Sequence, residues 1–318
     1  MKPKNIERHL RLKFDDWLKS IEDEKVRELV AGHTICMGGA IASLLLDEKV
    51  NDYDFYFRDK RTCLAVAKYY VQKFKENPPP KLRDYGRDLE ISVKDDDGRI
   101  RIVVKSAGVV SEEHGVEYAY FESDPDPTDQ ESFLDTALGV LEMTDDDEEK
   151  SPYRPIFLSS NAITLSDGIQ LVTRFYGKPT DIRENYDFVH VTNFWTSWGE
   201  GRRGKLFLRK DALLALMTKE LQVINGGTKY PFAAICRIRK FTKRGFHITA
   251  GHVLKLCLAI SELDFRDYNV LQEQLTGVDL AYFTELLSYL DTHKNEWASE
   301  EDNNLKTPYL LELIDRLL

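Results

Sequence analysis

Long apolar runs are missing from this chain of 318 residues, and none approaches the length needed to cross a bilayer. The start, Met1-Lys-Pro-Lys-Asn5, leads into a charged amphipathic pattern and carries no secretory signature. Cysteine is scarce. Cys36, Cys63, Cys236 and Cys257 are far apart, show no Cys-x-x-Cys spacing and sit among apolar neighbours, which excludes a zinc ribbon or a disulfide framework. Buried free thiols and a cytoplasmic setting without membrane contact are expected. Net positive charge is also missing. The formal charge of −10 excludes a surface that is basic all over. That average hides a segregation, because residues Gly201 to Ile260 hold thirteen Lys and Arg against two acids. A basic surface for a polyanion, carried on an acidic body, follows from such a distribution.

What is present centres on residues 33–57. His33 to Met37 is an apolar run that predicts a short buried strand. Gly38 and Gly39 follow at once, then Ala40 to Leu46 with helix formers spaced for one buried face. After a polar turn at Asp47 to Asn51, Tyr53 to Phe57 predicts a second strand around Asp52 and Asp54. A glycine pair between strand and helix lets backbone approach a phosphate, whose charge the helix N-terminus favours. Two acids spaced by two on a strand point to one face, where they would hold divalent metal and, through it, a triphosphate.

The remaining chain supplies supporting elements. Residues 1 to about 32 predict helix, with Ile6, Leu10, Phe14, Trp17, Leu18 and Ile21 on one face. Arg61 to Glu76 is a further helix, ended by Asn77-Pro-Pro-Pro80. Arg99 to Lys105 and Val116 to Phe121 read as strands, the first preceded by a turn at Asp95 to Gly98. Residues 124–150 hold eleven acids and one lysine without calcium-loop spacing, and read as a solvated insertion. Ile156 to Leu165 and Ile169 to Tyr176 form a hairpin about Asp167-Gly168, and Pro179 to Asn185 a helical turn. Tyr186 to Thr192 reads as a strand carrying Asp187, a candidate third carboxylate, and His190, expected in the core. Asn193 to Trp198 is aromatic, fit either for the core or for stacking a base. Arg209 to Val223 and Thr249 to Leu263 read as helices, and more helix is expected in Phe265 to Leu290 and Pro308 to Leu318. Between them Arg237, Lys240 and Arg244 recur at helical steps, a row of cations suited to phosphate.

Gly38-Gly39, twelve residues, then Asp52-x-Asp54 resembles the head domain of the DNA polymerase beta nucleotidyltransferase superfamily. The spacing is similar to that of class II CCA-adding enzymes and bacterial poly(A) polymerases, which usually carry Arg-Asp where this chain has Ala42 and Ser43. Arg237-Ile-Arg-Lys-Phe-Thr-Lys-Arg-Gly-Phe246 resembles their neck helix. The full length is also similar to nucleotidyltransferase-like proteins of tailed bacteriophages. The resemblance implies an α/β (α+β) fold: an N-terminal helix over 1–29, a head with a small mixed sheet over 30–200, and a basic helical neck and body over 201–318. It implies transfer of a nucleoside monophosphate from an NTP to a hydroxyl, an RNA 3′ end first among acceptors, with release of pyrophosphate. Two Mg²⁺ ions would be held by Asp52, Asp54 and Asp187. Gly38, Gly39 and Ser43 would line the nucleotide, and Arg237, Lys240 and Arg244 would meet phosphates. Two other readings stay open: transfer to a protein or small molecule, as by a toxin or modifying enzyme, and nucleic-acid binding by a head that has lost catalysis.

Overall fold

The computed structural model describes residues 1–78, 89–96, 98–106, 152–159, 161–199, 204–224, 227–264, 267, 270, 273 and 274. The expected strand at 116–121, the acidic segment 124–150 and the expected C-terminal helix at 308–318 lie outside these, as does most of the helical stretch expected at 265–290.

The first element is α1 (Pro3–Ser20), whose Ile6, Leu10, Phe14 and Trp17 recur at three- and four-residue steps and are all buried. One helix was expected to reach residue 32. Instead Ile21 is extended, and the Asp23 side chain accepts from the Val26 N–H at 3.0 Å to start α2 (Glu24–His33). Strand β1 (Thr34–Met37), α3 (Gly39–Leu46) and β2 (Tyr53–Phe57) then follow within a residue of their expected bounds. Asp59 caps α4 (Lys60–Glu76) by accepting from the Thr62 N–H at 2.9 Å.

A seven-stranded mixed sheet forms the centre of this fold. Its strands also include β5 (Pro155–Leu158), β6 (Ala162–Leu165), β7 (Ile169–Tyr176), β8 (Phe194–Thr196) and β9 (Lys205–Phe207). The order is β5-β6-β7-β2-β1-β8-β9. β2 and β7 run parallel, with Asp54 opposite Gln170, and the other neighbours are antiparallel. The stretch expected as one strand from 156 to 165 is two, because the chain reverses at Ser159, whose N–H donates to the Ala162 carbonyl at 2.9 Å and whose Oγ accepts from the Asn161 and Ala162 N–H groups. The β6–β7 turn is the three residues Ser166-Asp167-Gly168 between the paired Leu165 and Ile169, and Asp167 and Gly168 both have positive φ. A separate antiparallel pair joins β3 (Leu89–Asp96) to β4 (Arg99–Ser106), turning at Gly98. β3 was not expected, although Leu89, Ile91 and Val93 alternate.

The chain divides into two compact units. The first comprises Met1–Gly108 with Asp146–Thr218; the second, in its described part, begins at Lys219. Strand β9 extends the sheet at its edge, and α6 (Lys210–Thr218) is tied back by the Arg209 N–H donating to Asn193 Oδ1 at 2.9 Å. The helix expected over 209–223 stops at Thr218, where Lys219 turns to positive φ. α5 (Pro179–Arg183) follows β7, also in the first unit. In the second unit α7 (Pro231–Lys243) and α8 (Ala250–Ser261) are joined through a turn at Gly245.

One face of β2 is fixed by aromatic packing. Phe55 is fully buried against Trp17, ring centroids 5.1 Å apart, and Phe14 bridges to the central Trp195 at 5.2 Å. The Trp17 indole N–H donates to Tyr70 Oη at 2.7 Å, so α1 and α4 share that side of the sheet. Trp17→Ala is expected to cost about 3–5 kcal/mol of unfolding free energy, since a large ring and a buried donor are lost together; urea denaturation measures it.

Candidate active site

Gly38 stands between β1 and α3 with φ +117° and ψ −154°, a conformation closed to residues with a side chain. A Cβ at this position would lie 2.5 Å from Asp54 Oδ2 and 3.1 Å from Tyr186 Oη. The glycine is therefore required twice, by its backbone and by the carboxylate pressed against it. Gly39 differs. A Cβ there would meet nothing within 4 Å, so the first turn of α3 is open at this point. Ser43, by contrast, lies inside α3 and is buried beside Ala42.

Asp54 is half-buried on β2, and Asp52 half-buried just ahead of the strand, which starts at Tyr53 rather than at Asp52. Alternation places Asp54 and Tyr56 on the side opposite Tyr53 and Phe55. Tyr53 touches α1, its Oη 2.6 Å from His9 Nε2, whereas Tyr56 Oη lies 2.8 Å from Tyr186 Oη. Burial pushes the Cys36 thiol well above its ordinary range, and the charges of Asp54 and then Asp52 push it the same way. Both carboxylates thus act on the strand that precedes the glycines. Burial likewise raises Tyr186, with Tyr56 and Asp54 adding to it, so this hydroxyl stays protonated beside a carboxylate. Tyr186 was not anticipated from the sequence. No local pattern marks it, since its partner Tyr56 is 130 residues away.

The strand expected at 186–192 is absent. Val189–Val191 form a 3₁₀ turn, closed by the Thr192 N–H and hydroxyl, which donate to the Val189 carbonyl at 3.1 and 2.7 Å. Asp187 is buried ahead of that turn, and His190 is a core residue with its ring 6.1 Å from Phe188. Among the described residues no three His, Cys, Asp or Glu side chains come together as a metal-holding group. The donor set at the glycines is the pair Asp52 and Asp54. Of the aromatic run, Trp195 is core, while Phe194 stacks on Phe207 and Trp198 lies under the Arg58 guanidinium.

The cationic row belongs to the second unit. Arg237 is half-buried and Lys240 exposed on α7, and Arg244 follows the helix as its C-cap, half-buried. Ile235 is exposed, whereas Phe241 is buried against Phe246.

A protein-family model described as Gabija anti-defense 2 family protein matches residues 8–219. No curated protein matches the chain. Among solved structures, the chain is similar to a Thermotoga maritima CCA-adding enzyme complexed with tRNA, at 14% identity and a TM-score of 0.38, covering 95% of this chain and 54% of that one. It is similar to a CCA-adding enzyme in complex with CTP, at 13% identity and TM-score 0.39, covering 82% and 48%. An apo tRNA-processing enzyme matches at 14% identity and TM-score 0.41, covering 99% and 75%. The chain spans about half the length of the first two.

The glycine geometry yields a stability test. Gly38→Ala is expected to cost about 1–3 kcal/mol from backbone strain and a further 1–3 kcal/mol from overpacking against Asp54. In an Asp54→Ala background the second part should disappear, which a double-mutant cycle in urea reads directly. Gly39→Ala should change stability by no more than about 1 kcal/mol, in the stabilising direction.

Proposed function

We propose that this chain, which belongs to the Gabija anti-defense 2 family, is a nucleotidyltransferase that moves a nucleoside monophosphate from an NTP to a hydroxyl acceptor. The observation that carries the reading is the contact between Gly38 and Asp54, which sets a carboxylate beside the open first turn of α3. A triphosphate at that turn would meet backbone N–H groups and the positive end of the helix, with Gly39 leaving room for close approach.

The donor chemistry fits a hard divalent cation. Mg²⁺ is commonly held by one or two carboxylates, with water and substrate phosphate completing its shell. Asp52 and Asp54 supply two such groups, and a cradle bounded by a glycine is the place where phosphate oxygens would join them. When bound, the metal would offset charge on the phosphates and acidify an attacking hydroxyl. In the transfer itself the acceptor oxygen bonds to the α-phosphorus, the α–β phosphoanhydride bond breaks, and pyrophosphate leaves with its electron pair. Asp187 is assigned to take the acceptor's proton. Tyr186, which lies with Asp54 beside Gly38 and whose hydroxyl is bonded to that of Tyr56, is assigned to position that carboxylate. Arg237, Lys240 and Arg244 are assigned to phosphate charge, and Ser43 to supporting the helix turn near the nucleotide.

An RNA 3′ end is the acceptor proposed first, on the strength of the Gly-Gly and Asp-x-Asp spacing. A protein acceptor is the second reading, favoured by the family description, since modifying a component of a defence system is a direct way to counter it. With Mg²⁺ and an α-labelled NTP, wild type is expected to transfer label to total RNA or to protein from a Gabija-bearing lysate. Asp54→Asn should lower transfer by at least about 100-fold with an unchanged unfolding midpoint. RNase-sensitive label supports the first acceptor and RNase-resistant, protease-sensitive label the second. Undiminished transfer by Asp54→Asn would end the assignment.

A further inference from the structure

Helix α4 carries Lys60, Arg61, Lys68, Lys73 and Lys75 against a single acid, Glu76, in a chain whose formal charge is −10. Its buried side, including Cys63, Val66, Tyr70 and Phe74, packs toward the sheet. Two of the cations are engaged at about half exposure, Lys60 with Asp95 and Lys73 with Glu22, both at 2.6 Å. The other three, Arg61, Lys68 and Lys75, are exposed and make no ion pair among the described residues. They are spaced by seven, so they stay on one side of the helix with a drift of only about 20° per interval. An open groove of about 540 Å³ runs along this side, lined by Lys60, Arg61, Leu64, Ala65 and Lys68.

We propose that this outward side of α4 binds the phosphate backbone of a nucleic acid without regard to base sequence. Seven helical residues rise about 10.5 Å, so the three cations span about 21 Å, a length over which a duplex carries a phosphate charge about every 1.7 Å of its axis. Chemistry favours this partner over a protein. Protein interfaces centre on apolar and aromatic anchors and are poor in lysine. None of the exposed large hydrophobic residues lies on α4, and its exposed positions 61, 68, 72, 75 and 76 are all polar, three of them cationic and one, Glu76, acidic. The surface is also separate from the glycine site. α4 shares the sheet side of Phe55 and Trp17, whereas Asp54 and Tyr56 are on the other. The proposal does not rest on the transferase reading.

The test is fluorescence anisotropy of the full chain with labelled 20-base-pair DNA and RNA duplexes of mixed sequence, without Mg²⁺ or NTP, between 50 and 200 mM NaCl. Losing three phosphate contacts should weaken binding of R61A/K68A/K75A by about tenfold or more at the lowest salt, and lower the log–log salt slope by about 2 to 3. The charge-preserving R61K/K68R/K75R should bind as wild type does. Unfolding midpoints confirm that the variants fold, and K68E alone serves if the triple alanine variant does not. Unchanged affinity and slope in a folded alanine variant would overturn the proposal. So would loss of polyglutamate binding with nucleic-acid binding intact, which would assign the surface to an acidic protein. Binding of a labelled NTP with Mg²⁺ in the absence of any acceptor should be unaffected in every variant, and keeps a failure here distinct from a failure at Asp54.

Discussion

The alternation of β2 is the constraint on which the site depends. Phe55 is sealed beneath Trp17, Phe14 and Trp195, and a strand that commits Phe55 to one side commits Asp54 and Tyr56 to the other. Slipping the register by one would place a carboxylate in an aromatic core, a penalty of several kcal/mol. The apolar packing on one side of the sheet thereby holds the polar geometry on the other. Helices α1 and α4 matter to the glycine site for this reason, although neither contributes a residue to it.

Much of this was legible because it is local. Strand β1, the glycine pair, α3 and β2 occupy 24 consecutive residues from Thr34 to Phe57, and their pattern follows from periodicity and backbone freedom alone. The pairing of Asp54 with Gly38 was legible as a motif. What spacing could not give is that the glycine answers to its own protein's carboxylate. Residues 186–192 misled for a physical reason. Val189, Val191 and Thr192 have strand propensity, yet the Thr192 hydroxyl finds the Val189 carbonyl and closes a tight turn instead. Tyr186 was hidden by distance, since only folding brings it to Tyr56. β3 pairs only with β4, apart from the seven-stranded sheet, and its Leu89, Ile91 and Val93 alternate.

Charge is distributed in the same spirit. The second unit carries its cations on α7, and the first unit carries a separate set on α4. Acids elsewhere in the sequence bring the formal charge of the whole chain to −10. A chain that is anionic on average thus gathers lysine and arginine on two helices, a distribution that keeps positive potential local.

The β6–β7 turn extends its influence to the loop that carries Asp52. The Tyr53 N–H donates to the Gly168 carbonyl at 2.9 Å, and a Cβ at Gly168 would come within 2.9 Å of the Asn51 carbonyl. The loop presenting Asp52 therefore rests on a hairpin more than a hundred residues downstream. Changes in the length or shape of that remote bend offer a way to retune where the leading carboxylate sits, leaving every residue around the glycines untouched.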